Sequence, residues 1–401
     1  MIRRQGYRFR LKPSAAEDGL LRQFLGCSRF VWNAILAENE FRYEHGDPLP
    51  RNYGAFCGRL KALKARHEFL RAAHSQPLQQ TLRDLASAYS KAFDPKLPAE
   101  MPIFKKKAHA QGIRFPQGFR VQRNGVFLPK IGWVAFRVSA RTAKRKVEGE
   151  VKNVTLRLEG SRWYVSFQTE REVEEPTHED AGSVVGVDVG VARFVALSDG
   201  TFFEGANAFK KHQRRLTLLQ QRLARKVKFS ANWRKAKARI TNLHSKIANI
   251  RTDQLHKSSS TISKNHAVVV LEDLSVVNMT ASTKGTVKAP GINVAAKSGL
   301  NRRILDQGWS EFRRQLAYKL AWKGGTMLLV DPRNTSRACS ACGNVSRENR
   351  LTQAAFRCVA CGHAANADTN AAINILRRAG QARIACGDAQ ASPKREAQCA
   401  A

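Results

Sequence analysis

Polar and apolar residues alternate from residue 3 to 12, with Tyr7, Phe9 and Leu11 on one side, which predicts a strand. Pro13-Ser14-Ala15-Ala16-Glu17 then reads as a helix start, and the spacing of apolar residues changes to that of a helix. Leu20, Leu21, Phe24, Leu25, Phe30, Val31, Ala34 and Ile35 share one face, and amphipathic segments near 56–66 and 76–93 complete a small predicted bundle. From about residue 100 the period falls to two, with turns at Gln117-Gly118, Asn124-Gly125, Gly132 and Gly160 between short runs such as Trp163-Tyr164-Val165-Ser166-Phe167. An antiparallel β-barrel or sandwich follows. Because the opening strand precedes the helices, the simplest topology inserts the bundle into that β-domain. Glu170 to Asp180 is acidic, contains Pro176, and reads as a linker.

The second half begins with three predicted strands, 184–191, 193–198 and 201–204, separated by tight turns at Gly190 and Asp199-Gly200. Residues 206–257 read as long helices, with Leu216, Leu219 and Leu223 near helical spacing. A buried strand is expected at Ala267 to Leu271, a mobile Lys/Ser/Thr/Gly-rich stretch at about 279–299, and a helix at about 301–323. A strand over Thr326 to Val330 and a helix over Asn370 to Ala379 close the folded part, leaving 380–401 as a disordered tail. The pattern as a whole is multidomain α+β.

Charge narrows the partners. The 69 Lys and Arg against 32 Asp and Glu give a formal charge of +37, which repels itself unless a polyanion neutralises it. Residues 206–257 carry 15 Lys and Arg against one acid, Asp253, too one-sided for internal ion pairs, so phosphate contact is expected there. Charge alone fits a coating protein as well as an enzyme. No stretch approaches the roughly 18 to 20 apolar residues of a membrane span, and the basic N-terminus has no apolar segment behind it. A cytoplasmic protein is expected. Of eight cysteines, Cys27, Cys57, Cys386 and Cys399 are scattered, as ordinary thiols in a reducing compartment.

The other four form two pairs, Cys339-Ser-Ala-Cys342 and Cys358-Val-Ala-Cys361, with 15 residues between them. Two such knuckles close a tetrahedral zinc site, and Gly343 and Gly362 directly after them permit the tight turn each knuckle needs. A shell of four thiolates leaves no position for substrate, so this zinc is expected to be structural. The candidate chemistry falls to carboxylates. Asp188 lies within Val-Val-Gly-Val-Asp-Val-Gly-Val, where an ionised side chain costs several kcal/mol unless a cation compensates. Glu272 ends a second apolar strand, and Asp368 precedes the final helix, a position that also suits a plain cap. Taken together, one acid on a meander strand, one on a later parallel strand and one at a helix start reproduce the layout by which RNase H-like folds hold two divalent ions. Two Mg²⁺ about 3.5 to 4 Å apart polarise a scissile phosphate, generate hydroxide and stabilise the leaving oxygen, work that calls for hard oxygen ligands.

These motifs resemble TnpB, the OrfB protein of bacterial insertion sequences, which is related to the compact type V CRISPR effectors. The resemblance rests on Gly186-Val-Asp188-Val-Gly190, Leu271-Glu272-Asp273-Leu274, Ile304-Leu-Asp-Gln-Gly-Trp-Ser-Glu-Phe312, Thr335-Ser336, and Asn366-Ala-Asp368-Thr-Asn370-Ala-Ala-Ile-Asn374. Near the start, Tyr7-Arg-Phe-Arg-Leu-Lys-Pro13 and Cys27-Ser-Arg-Phe-Val-Trp-Asn33 belong to it as well. It implies an RNA-guided DNA endonuclease, a monomer with a guide RNA made from the transposon end, that cuts double-stranded target DNA beside a short transposon-adjacent motif. It also implies a wedge β-barrel over 1–14 and 99–175, a helical recognition lobe over 15–98, a RuvC-like nuclease over 181–335 and 363–379, and a zinc ribbon over 336–362. Asp188, Glu272 and Asp368 match the family's catalytic acids. Pairing with the guide leaves the protein to supply a basic channel and a few side chains that test the adjacent duplex. Lys105, Lys106 and Lys107 are channel candidates, with Arg214, Arg215, Arg222, Arg225 and Lys226 of the basic helices; Tyr53 and Gln79 align loosely with motif-probing positions. The alternatives are a transposase that performs strand transfer at the same acids, and a nuclease-inactive RNA-guided binding protein.

Overall fold

The computed structural model describes residues 1–107, 112–138, 147–286 and 289–385, and the side chains of all of these but 381–385. The chain divides into two compact units, Met1–Val173 and Glu174–Ala401.

In the first unit β1 (Ile2–Leu11) is followed by helices α1 (Ala15–Glu44), α2 (Tyr53–Arg66), α3 (Phe69–Ala72) and α4 (Ser75–Ala92). Strands β2 (Gly112–Phe115), β3 (Arg120–Val121), β4 (Gly125–Leu128), β5 (Gly132–Arg137), β6 (Glu150–Glu159) and β7 (Arg162–Glu172) come after them. All seven strands join one half-barrel sheet in the order β2-β6-β7-β1-β5-β4-β3, so the helices do lie between the first strand and the rest. The expected alternation holds in β1: Tyr7, Phe9 and Leu11 are buried, and the Phe9 ring meets Phe136 and Phe167 at centroid distances of 4.8 and 5.8 Å. Helix α1 starts where Pro13-Ser14 predicts, because the Ser14 hydroxyl accepts from the Glu17 N–H and the Glu17 carboxylate accepts from the Ser14 N–H. Such a reciprocal cap stabilises a helix by about 1 kcal/mol. The Trp163 indole N–H donates to Asp18 at 2.6 Å and ties the helix to β7.

The second unit is built on a five-stranded sheet, order β10-β9-β8-β11-β12. Strands β8 (Val184–Val189), β9 (Val195–Leu197) and β10 (Phe202–Phe203) form an antiparallel meander; β11 (Val268–Glu272) and β12 (Thr326–Val330) run parallel to β8. Between β10 and β11 the chain makes helices α5 (Ala208–Ala224) and α6 (Ala231–Asn265), and α6 runs past the expected end at 257. Short α7 (Val276–Met279) follows β11. The end of the stretch expected to be mobile, 294–299, is helical: α8 (Val294–Gln307) starts earlier than the helix expected from 301, and Gly308, in the left-handed conformation, breaks it from α9 (Trp309–Ala321) where one helix was expected. Residues 287–288 of that stretch lie outside the described residues. Strands β13 (Ala355–Arg357) and β14 (Ala364–Asn366) form a small hairpin sheet that carries the cysteine ribbon past its expected end at 362. Helix α10 (Ala367–Ala385) starts earlier and ends later than expected, so residues 380–385 are helix rather than tail; 386–401 lie outside the described residues.

Period-two alternation sorts the sheet's two faces. Val185, Val187, Val269 and Leu271 pack with Leu255 and Ile262 of α6 and Phe312 and Leu316 of α9. Val270 and Val330, of opposite parity, pack with Ile375 and Ala379 of α10. Each side chain so buried contributes about 1.5–3 kcal/mol. Helices α5 and α6 add a core of Ala208, Leu216, Leu243 and Ile247. Asn207 makes no side-chain cap for α5; instead buried Asp306 accepts from the Phe209 N–H with both oxygens, each at 3.0 Å. A carboxylate there satisfies orphan donors and opposes the helix dipole.

Candidate functional site

Register brings the first two acids together. In the parallel pair β8/β11, Val270 lies beside Gly186 and Leu271 beside Val187, so the next step sets Glu272 beside Asp188. Both share the parity of Gly186 and Val270, the face covered by α10. Gly186 permits the helix to come close: a Cβ there would lie 2.1 Å from the Ala372 carbonyl oxygen and 2.9 Å from Leu376 Cβ. That crossing brings the first turn of α10, and Asp368 with it, to the end of the strand pair. Asp368 lies inside the helix, and the capping role its position suggested belongs to Asn366, whose Oδ1 accepts from the N–H of Asp368 (3.1 Å) and Thr369 (3.4 Å).

Asp188, Glu272 and Asp368 are each half-buried and line one cavity of about 240 Å³, together with Arg193, Thr335, Ser336, Arg350 and Gln353. Burial, and then the negative charges of Glu272 and Asp368, push the Asp188 carboxyl up to about 7, against the opposing pull of Arg350 and the Val189 N–H. Burial also raises Glu272, while the Thr335 hydroxyl, donating to its Oε1 at 2.5 Å, lowers it. The Arg350 guanidinium lies 3.6 Å from Asp368. Three carboxylates outnumber the two arginines, Arg193 and Arg350, that line the cavity, and their hard oxygen donors suit divalent ions. A second cluster lies beside the cavity: four cysteines whose ligand atoms are all within 4.8 Å of one another.

Cys339, Cys342, Cys358 and Cys361 form that group. Sγ atoms of Cys339 and Cys361 lie 3.7 Å apart, and those of Cys342 and Cys358 3.6 Å. A tetrahedral ion with bonds of about 2.3 Å to sulfur needs edges of about 3.8 Å, so the set fits a metal. The two knuckles repeat one design, in which the Gly343 N–H donates to the Cys339 carbonyl and the Gly362 N–H to the Cys358 carbonyl. Both glycines have positive φ, 79° and 72°, as the sequence led us to expect. Although the His363 N–H works to lower it, the neighbouring Cys342 sulfur pushes Cys361 up to about 12, while the Cys361 N–H brings Cys358 down to about 7. Four thiolates in this space require a cation.

The ribbon and the cavity are joined. Asn370 Oδ1 accepts from the Ser340 N–H, its amide donates to the Ala338 carbonyl, and the Asn374 amide donates to the carbonyls of Thr335 (2.9 Å) and Ala338 (2.7 Å). All four are short bonds to buried side chains, so α10 holds the segment that presents Thr335 to Glu272. Sequence reasoning missed Thr335 as a site residue, although Thr335-Ser336 stood out as a motif, and missed Arg350, which nothing marks among 69 basic residues.

The remaining candidates lie elsewhere. Tyr53 opens α2 with the Arg83 guanidinium 4.7 Å from its ring centre, and half-buried Gln79 sits one turn before Arg83 on α4. Lys106 and Lys107 are exposed, but the Lys105 ammonium is 3.4 Å from the Trp32 ring centre, and burial lowers it to about 8. Arg214, Arg215, Arg222, Arg225 and Lys226 are all exposed on or just after α5.

Known proteins bear on this geometry. The OrfB/IS605 family profile described as "Probable transposase" matches residues 166–283, and a Cas12f1-like TNB domain profile matches 309–375. A further OrfB/IS605 profile, described as a helix-turn-helix domain, matches 1–47, where the chain forms β1 and one long helix. "Putative RNA-guided DNA endonuclease InsQ" of Escherichia coli (strain K12) is 49% identical over 97% of this chain and 95% of its own. The chain belongs to the TnpB (OrfB) family. "Putative RNA-guided DNA endonuclease" of Streptomyces pristinaespiralis is 31% identical over 98% of this chain and 93% of its own. Among solved structures, a Cas12f1 chain in complex with single guide RNA and target DNA matches with TM-score 0.51 and 16% identity, covering 94% of this chain and 98% of that one, a likeness of fold. Among the described residues, no helix is long and apolar enough to cross a membrane.

Proposed function

We propose that this TnpB-family chain is an RNA-guided DNA endonuclease that hydrolyses phosphodiester bonds of target DNA at Asp188, Glu272 and Asp368. The observation that carries the reading is the shared cavity of three carboxylates from distant parts of the chain, at the end of parallel strands in a sheet of order β10-β9-β8-β11-β12. A three-strand meander followed by two parallel strands is the RNase H-like arrangement, and we assign this unit to a RuvC-like nuclease. The relatives' names and the +37 charge support the same conclusion.

In this reading Asp188, Glu272 and Asp368, which line one cavity, hold two Mg²⁺. Bound there, divalent ions supply Lewis-acid polarisation of the phosphate and offset charge at the attacking and leaving oxygens. The chain's own residues prepare that chemistry. Thr335 occupies one oxygen of Glu272 and leaves the other for a cation. Arg350 holds Asp368 and adds positive charge beside the phosphate position. The cysteine ribbon holds a structural Zn²⁺, with no thiolate left for substrate. The half-barrel unit serves as wedge with an inserted recognition lobe, Tyr53 and Gln79 probe the transposon-adjacent motif, and the guide RNA comes from the transposon end. The protein acts in the bacterial cytoplasm, at the nucleoid.

Purified protein with its copurified RNA should make double-strand breaks in DNA that carries the guide's complement. Asp188→Ala should abolish cutting with guide and target binding retained; a variant that still cuts sinks the proposal. The description "Probable transposase" favours a second reading, strand transfer at the same acids. Joined products from transposon-end DNA without RNA would establish it.

A further inference from the structure

The tip of the α5–α6 hairpin is built against the rules of stability. The Ser230 N–H donates to the Val227 carbonyl at 3.2 Å and closes a four-residue turn whose third residue is Phe229, with φ +68°. That turn position favours glycine, and a bulky side chain there is an outlier. The strain secures little packing, because the Phe229 ring is 63% exposed and Val227 beside it 79%. An observed outlier of this kind points to a use for the side chain. What surrounds the ring defines the use. The Trp233 ring lies 5.4 Å away, Lys228 Nζ is 5.3 Å from the Phe229 centre, and Lys237 Nζ is 4.8 Å from the Trp233 centre. No Asp or Glu occurs from Gly205 to Thr252.

We propose that this tip is a stacking platform for an unpaired base of RNA, with the exposed Phe229 ring taking the base, Trp233, tilted 59° to it, backing that ring, and Lys228 and Lys237 taking the flanking phosphates. Every base presents a π-face, so aromatic rings ringed by cations hold a single strand with little regard to sequence. A duplex keeps its bases stacked on one another and offers this tip only phosphates. The choice of RNA rests on the RNA-guided reading above: a resident guide keeps unpaired loop bases, and RNA recognition works largely through such bases stacked on aromatic side chains.

The test is binding by the full-length chain to labelled oligo(U), to oligo(dT) and to a blunt RNA duplex of equal length. Phe229→Ala should weaken oligo(U) about tenfold, the loss of one stacked base, and leave the duplex within about twofold. Lys228→Gln with Lys237→Gln should instead flatten the salt dependence by about 1.4 in the log–log slope. Phe229→Gly should lose the same affinity with an unchanged or higher Tm, because glycine suits the turn. Unchanged oligo(U) binding, equal loss on the duplex, loss confined to oligo(dT), or a Tm lowered by Phe229→Gly would each overturn the proposal. Asp188→Ala separates the two readings, since cutting by that variant defeats the nuclease assignment while the Phe229-dependent affinity for oligo(U) still stands or falls alone.

Discussion

The four cysteines and the three carboxylates are assembled by opposite means. Each cysteine pair is gathered by its own turn, and the thiols crowd until all lie within 4.8 Å of one another. The carboxylates, 84 and 96 residues apart in sequence, are delivered by strand register and by one close helix crossing, and they stand around 240 Å³ of space. A closed cluster satisfies its ion completely and holds the chain together; an open one keeps its ligands short of partners, and that deficit draws cations and leaves room for substrate. Asn370 and Asn374 link the two, so damage to the closed cluster should reach the open one.

The largest effect expected from this contrast is on the closed side. If the cysteine cluster holds zinc as proposed, Cys358→Ser should abolish zinc binding, measured by metal analysis, and unfold the ribbon, because structural zinc binding is worth about 10 kcal/mol or more of local folding. Cleavage should fall with it, since the ribbon holds Thr335 and Arg350 at the cavity; an active, zinc-free variant would break the link between the clusters. Next, Gly186→Ala should cost about 3 kcal/mol or more in chemical denaturation, because its Cβ has no room beneath Ala372 and Leu376. A smaller loss is expected at Thr335. Thr335→Val should weaken Mn²⁺ binding to the free protein and raise the Mg²⁺ requirement for cleavage about tenfold to a hundredfold, with zinc content unchanged, and Thr335→Ser should restore both.

The mildest effect is a pH dependence. Without divalent ions, folded Asp188 keeps its proton up to about pH 7, while the unfolded chain gives it up near 3.8. The folded form therefore binds more protons between these values, and this group's contribution to stability is full below about pH 4 and declines as pH rises to 7. Asp188→Asn should remove that part of the slope in unfolding measured from pH 4.5 to 7.5. Divalent binding runs the other way: an ion must displace the proton, so affinity should rise about tenfold per pH unit and level off near 7.

The sequence revealed the closed cluster almost completely, since spacing and the two glycines are local facts. It named the three acids and the layout that would join them but not the register that does so, because register between β8 and β11 is set across 84 residues by which face each valine buries. Asp368 looked like a cap, but Asn366, two residues earlier, takes that role, its Oδ1 accepting from the Asp368 and Thr369 N–H groups. Lys/Ser/Thr/Gly composition suggested a mobile segment up to 299 where the first turns of α8 already form, because composition does not register a helix that is anchored further along by buried Ile304 and by Asp306 capping α5. Lys105 read as a channel lysine, and its ammonium sits against Trp32, a contact made across 73 positions of chain. Arg350 shows no signal at all in so basic a chain.

Register has a further consequence for how this chain tolerates insertions and deletions. Helices α5 and α6 protrude between two neighbouring strands as an arm with its own small core, so adding or removing matched turns at the far end leaves β8 and β11 side by side. A single residue lost within 268–272 has no such outlet. It would rotate Glu272 to the opposite side of the sheet, among Phe312 and Leu316, and place an apolar neighbour where the acid stood. Length is therefore free to drift at one end of the same loop connection and fixed to the residue at the other.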